Sequence, residues 1–128
     1  MKGIHQNGKM TFVAGAAIAA GEFVKFSSGK VVKCAAATDI AIGVALDSAS
    51  ASGDNIPVQL LTGGDTVLVK AGGEVAQGGT LTCLGTTVAT GGTLQYGIAL
   101  EAATASGDII EAMVGLPAIH AAASAVAG

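Results

Sequence analysis

The chain has no tryptophan and no arginine, and aromatic residues make up only 3% of its 128 positions. Without arginine there is no planar fork to grip a carboxylate or phosphate through paired hydrogen bonds. The only histidines, His5 and His120, lie near opposite ends, which leaves a nucleophile no base close by in sequence. Cys34 and Cys83 form no CxxC pair and neighbour no histidine. Cys83 falls in the alternating stretch Thr80–Leu84 and reads as a small buried hydrophobe, so free thiols are expected rather than a disulfide. No His/Asp/Glu cluster has metal-ligand spacing. Charged residues are 12% of the chain and the net charge is −3, which leaves no basic footprint for nucleic acid. No apolar run approaches the roughly eighteen residues of a membrane span. The glycines pair up (Gly63-Gly64, Gly72-Gly73, Gly78-Gly79, Gly91-Gly92) and do not build a phosphate-binding GxGxxG loop. We therefore expect no enzyme, no cofactor or metal, no small-molecule substrate, and neither nucleic acid nor membrane as partner.

What the chain does have is one sentence written twice. Residues 43–54 read GVALDSASASGD and residues 97–108 read GIALEAATASGD, identical at eight of twelve positions. Two copies of one supersecondary unit explain this better than two separate functional loops. Each copy closes in a Ser-Gly-Asp turn: Ser52, Gly53 and Asp54, then Ser106, Gly107 and Asp108. Glycine supplies the positive φ, and the aspartate accepts from nearby backbone N–H groups. Two equivalent turn aspartates are the favoured reading, over a metal or acid–base pair.

Upstream of each turn, Ile42, Val44 and Leu46, and then Tyr96, Ile98 and Leu100, alternate with small or polar residues. Period two marks strands with one buried face, and these six are the expected inward set. Downstream, Ile56, Val58 and Leu60 match Ile110, Ala112 and Val114. A fainter echo pairs Ala20–Phe26 with Gln77–Cys83, with three fewer residues between it and the motif in the second copy. Asp65–Lys70 reads as a further strand. Short strands and glycine-rich turns predict an all-β fold, a small β-sandwich or barrel built from a duplicated strand-turn-strand unit, with flexible or extended termini. The expected organisation is an N-terminal arm at 1–10, a single domain at 11–116 with repeats at 20–61 and 77–115, and a C-terminal tail at 117–128.

The chain is 51% hydrophobic, yet the apolar share is mostly alanine and valine. At about 0.8 kcal/mol per buried CH₂, each alanine in place of leucine forgoes roughly 2 kcal/mol. One core of small side chains is thin, and association is the usual remedy. An oligomer is expected.

The termini invite several readings. Lys2, Lys9, Lys25, Lys30 and Lys33 crowd the first part of the chain. They serve either as solvated strand lysines or, with the N-terminal arm, as a dock for an acidic partner surface. Lys2 and Lys9 ahead of Phe12–Ala20, with Ala17-Ile18-Ala19, imitate a signal peptide, but the run is short and diluted by alanine and glycine. We expect a strand at Thr11–Ala14 and no export. Pro117–Val126 suits a helix, a loose tail or an extended arm, and the residues favour none of them.

Val69-Lys70 through Gly78-Gly79-Thr80-Leu81 resembles the β-hammerhead corner of biotinyl and lipoyl carrier domains. Those domains present a modified lysine at a hairpin tip in a Met-Lys-Met or Asp-Lys-Ala context, which none of Lys25, Lys30, Lys33 or Lys70 has. A non-catalytic hammerhead binding or carrier module remains one alternative, and a self-assembling head-fibre protein another. A broader resemblance covers roughly residues 12–115. Ala20-Gly21-Glu22-Phe23-Val24, Gly43-Val44-Ala45-Leu46, Ser52-Gly53-Asp54, the Val58–Leu60 strand, Ala76-Gln77-Gly78, Gly97–Glu101 and Ser106–Ile110 resemble, in order and spacing, the tailed-phage capsid decoration (capsid cement or head-stabilising) proteins. That resemblance implies a homotrimeric structural protein on the exterior of a virion, made in the host cytoplasm. It would bridge neighbouring major capsid protein subunits and stabilise the expanded shell. Lys2, Lys9 and Phe12 are the candidate capsid contacts.

Overall fold

A computed structural model describes residues 8–36, 38–61, 66–85 and 94–119, with side chains described as far as residue 115. Among the described residues nine strands follow one another: β1 (Lys9–Val13), β2 (Phe23–Ser27), β3 (Lys30–Lys33), β4 (Gly43–Ala45), β5 (Asn55–Leu60), β6 (Thr66–Lys70), β7 (Thr80–Leu81), β8 (Leu94–Ala99) and β9 (Ile109–Ile119). They form two antiparallel sheets, ordered β1-β5-β4-β2-β3 and β6-β9-β8-β7, so the fold is all-β. Among the described residues no helix is long and apolar enough to cross a membrane.

The first sheet curls until its edges meet. A parallel bridge joins Ala14, just past β1, to Val31 of β3, and the Gly15 N–H donates to the Val31 carbonyl at 2.7 Å. Alternation in β1 and β5 then points Phe12, Ile56 and Val58 inward, where they meet Ile18, Val24, Val31, Ala45 and Ala49. The second sheet makes the same bonds at matched positions. Ala14 N–H to Asp54 C=O has its counterpart in Ala71 N–H to Asp108 C=O, and Gly21 N–H to Ala45 C=O in Gly78 N–H to Ala99 C=O. The closing bond of the first sheet is matched by Gly72 N–H to Gly85 C=O. Strand registers match too: Val13 faces Asn55 as Lys70 faces Ile109, and Phe23 faces Val44 as Thr80 faces Ile98. Positions up to Cys83 correspond across 57 residues (Ala14 and Ala71), and those from Gly85 on across 54 (Val31 and Gly85, Asp54 and Asp108).

The two sheets share a larger core. Val67, Val69, Ala71, Val75, Leu81, Ala99, Ala103, Ile110 and Ala112 fill the inside of the second sheet. Phe23, Cys34, Ala41, Val44 and Leu61 of the first sheet join them from outside.

This arrangement corrects the expected inward set. Val44 and Tyr96 are buried, but Ile98 is 40% exposed, Leu46 is exposed too, and Ile42 and Leu100 are only half-buried. The reason is the narrowness of each curled sheet. Its interior takes Ala45 and Ala99, turning the larger Val44 and Ile98 outward. Gly43 and Gly97 permit this, because a Cβ there would strike the carbonyl oxygens of Gln59 and Met113 on the neighbouring strand. A register shift between Gln95 and Gly97 also breaks the period in β8, so that Gln95 and Tyr96 are buried side by side. Val44 is covered only because the second sheet packs over it.

Two expected boundaries move. Lys9 and Met10 belong to β1 rather than to an arm. β9 runs on to Ile119, with Ala118 and Ile119 paired to Gln95 and Leu94, so Pro117–Ile119 is strand and not the start of a helix or tail. Residues 1–7 and 120–128, including Lys2, His5 and His120, lie outside the described residues.

Candidate interaction surfaces

The two Ser-Gly-Asp turns are built alike. The Asp54 carboxylate accepts from the Ser50 N–H (2.9 Å), the Ser50 hydroxyl (3.1 Å) and the Ala51 N–H (3.3 Å). The Asp108 carboxylate accepts from the Thr104 N–H (2.9 Å), the Thr104 hydroxyl (3.2 Å) and the Ala105 N–H (3.2 Å). Donors aimed at the charged form hold both carboxyls below the usual aspartate range, the Ser50 and Thr104 N–H groups contributing most. Every donor is local, which is chemistry that shapes a turn. Among the described residues no group of three or more His, Cys, Asp or Glu could hold a metal ion.

Of the candidate capsid contacts, Lys2 lies outside the described residues and Lys9 is exposed on β1. Lys9 borders a groove of about 520 Å³ between the two sheets, together with Leu46, Gln59, Leu68, Ile109 and Glu111. Phe12 is not available for contact. It is 9% exposed in the first core, with its ring edge-on to Phe26 at 5.6 Å. Its place in β1, on the same side as Met10 and Ala14, sends it inward.

The junction between the sheets carries the polar anchoring. The Tyr96 hydroxyl donates to the Asp39 carbonyl and accepts from the Ala41 N–H, both at 2.9 Å, and burial pushes the phenol pKa up. Lys25 pairs with Asp39 at 3.0 Å. The Ala35 N–H foremost, then Lys25 and the Ala36 N–H, lower the Asp39 carboxyl to about 2. Lys70 pairs with Glu22 at 3.6 Å, while its N–H donates to the Gly21 carbonyl. Cys34 and Cys83 are free and buried. A hydrogen bond between their thiols pushes Cys34 up and Cys83 down, and the Cys83 thiol also donates to the Ala36 carbonyl at 2.9 Å. Lys25 and Lys70 are thus committed to ion pairs, and neither stands at a free hairpin tip as a carrier lysine would.

Exposed apolar side chains are what the sequence reading missed. Phe26, Ile40, Leu68, Ile98, Ile109 and Met113 are all exposed. The signal was there in β9: Ile109 and Met113 share a parity with Glu111, opposite the inward Ile110, Ala112 and Val114. Large apolar residues on the outward parity mark a face that something covers.

No curated protein shows a significant match to the chain. Among solved structures, the head fibre gp8.5 N base of bacteriophage phi29 is similar in fold, with a TM-score of 0.64 at 20% identity, over 88% of this chain and 98% of that one. The family model for phage cement protein matches residues 4–116. With that match spanning both sheets, the chain belongs to the phage cement protein family, a family of capsid-associated structural proteins.

Proposed function

We propose that this protein is a homotrimer that seats on the outer surface of a phage capsid and bridges neighbouring major capsid subunits. By doing so it stabilises the expanded shell against internal pressure. The observation that carries the reading is the family match over residues 4–116. Two features support it: small-residue cores that gain from association, and exposed apolar side chains outside those cores. Binding only the expanded lattice stabilises that lattice by mass action, and many weak contacts add through multivalency. The two matched sheets are read as a duplicated unit that forms the body of the protein. The N-terminal arm, with Lys2 and the exposed Lys9, docks on an acidic part of the shell. The protein acts without catalysis, on the virion exterior, after synthesis in the host cytoplasm.

The test is co-sedimentation with expanded heads that lack the protein. Saturation at a fixed stoichiometry, with heads that then resist heat or chelation, supports the reading. Failure to bind heads at micromolar protein overturns it. Removal of residues 1–7 should weaken binding while leaving the fold intact, and unchanged binding removes the arm from the account.

A further inference from the structure

The junction inside the molecule has two unlike sides, and each side recurs, uncovered, at the opposite end of the chain. The first sheet contributes an outward row across three paired strands, Phe23, Val44 and Gln59. The second contributes a rim: Val67, Lys70, Cys83, Tyr96 and Val114. Row and rim are buried together except at Lys70, which is half-buried and pairs with Glu22. Phe23 lies 5.5 Å from Tyr96, and Val44 and Leu61 share a cluster with Val67, Tyr96 and Val114.

The row has a counterpart in the second sheet, Thr80, Ile98 and Met113, paired in the same way. Among the described residues nothing covers it, and Ile98 and Met113 are 40% and 47% exposed. The rim has a counterpart in the first sheet at Met10, Val13, Phe26, Ile42 and Leu60. Phe26 is 55% exposed, Val13 is exposed, and Met10, Ile42 and Leu60 are only partly buried. Among the described residues, the second sheet therefore carries an exposed row at Ile98 and Met113, and the first an apolar rim exposed at Val13 and Phe26. Within the chain, the same two kinds of surface already pack on each other.

We propose that a second copy of this chain supplies the missing partner. The Thr80–Ile98–Met113 row of one copy packs on the Met10–Val13–Phe26–Ile42–Leu60 rim of the next, repeating the internal junction between molecules. Such a contact is heterologous, because unlike patches meet, and it closes into a ring or runs on as a filament according to the rotation it imposes. The proposal rests on the self-association in the reading above and identifies its faces; a ring of three is the closed form that reading requires.

The experiment uses the full chain in solution, without heads. Ile98→Glu spoils the row and Phe26→Glu spoils the rim. Each position is solvent-exposed in the single molecule, so each variant should fold, as circular dichroism will report. Light scattering should find each variant alone at the mass of one chain, a threefold drop from a wild-type trimer. An equimolar mixture should rise twofold and stop, since a pair of these variants has one sound junction and no second. A wild-type protein that stays monomeric, variants that keep the wild-type mass, or folded variants that fail to combine would each overturn the proposal. If Ile98→Glu does not fold, Met113→Lys tests the same row. Head binding by wild-type protein is measured separately: a trimer that ignores heads sinks the capsid reading and leaves this contact standing.

Discussion

Tyr96 and Ala41 are joined across the two sheets by a buried hydrogen bond of 2.9 Å, in which the Ala41 N–H donates to the phenol oxygen. The same hydroxyl donates to the Asp39 carbonyl. One side chain of the second sheet thus fixes a loop of the first that leads into β4. Tyr96→Phe keeps the ring contact with Phe23 and removes both hydrogen bonds. A buried backbone N–H left without a partner costs about 1–3 kcal/mol. We expect Tyr96→Phe to lower stability by that amount in urea unfolding, with an unchanged m-value. A loss below a few tenths of a kcal/mol would show that water replaces the phenol.

The turn aspartates predict an acid response. Both Asp54 and Asp108 are held below the ordinary aspartate range, so the folded form binds their protons less readily than the unfolded chain. Their contribution is complete above the unfolded value near 4 and is lost as pH falls through the lower folded values. Asp39, lowered to about 2, acts in the same direction. The melting temperature should hold steady from pH 7 to about 5 and then fall toward pH 2. The double variant Asp54→Asn with Asp108→Asn should start lower at pH 7 and lose less on acidification. Parallel curves for the variant and the wild type would mean that the turns do not carry the acid response.

How legible this molecule is from sequence depends on how local the governing contact is. The Ser-Gly-Asp turns could be read directly, because donor and acceptor are three or four residues apart, as in Ser50 and Asp54. Strand positions were legible from period two in β5 and β9. The side on which Val44 and Ile98 lie was not, because it depends on the width of a curled sheet and on a register shift beside Gly97. Phe12 was named as a candidate contact beside Lys2 and Lys9, and its strand parity was the better guide. Tyr96 was placed in the core, but its partners lie 55 and 57 residues away, beyond what spacing reveals.

Gly97 offers a test of the close approach between β8 and β9. A Cβ there meets the Met113 carbonyl oxygen, part of the backbone that has no room to yield. Gly97→Ala should cost about 3 kcal/mol or more through overpacking and reduce soluble yield. Gly107→Ala is the control: its φ of 95° disfavours a side chain, but a Cβ there meets nothing within 4 Å. Left-handed strain of about 1–2 kcal/mol is expected instead. Equal losses at both positions would argue against the close β8–β9 contact.

Val44 and Ile98 occupy matched places in the two sheets, yet one is sealed and the other is 40% exposed. An aspartate at Val44 must enter the shared apolar core. An isolated buried carboxylate costs several kcal/mol, comparable with the roughly 5–15 kcal/mol that holds a domain together. Val44→Asp should therefore give insoluble or unfolded protein. Ile98→Asp places the same group where water reaches it, and the single molecule should keep its circular dichroism spectrum and a cooperative melt. Its effect should appear in the mass of the assembly rather than in the fold. The pair separates two roles at matched positions: core at Val44, where the second sheet covers it, and, in the proposed contact, docking surface at Ile98, which nothing among the described residues covers. If Ile98→Asp unfolds as Val44→Asp does, the outward placement of β8 is wrong and the head-to-tail contact loses its row.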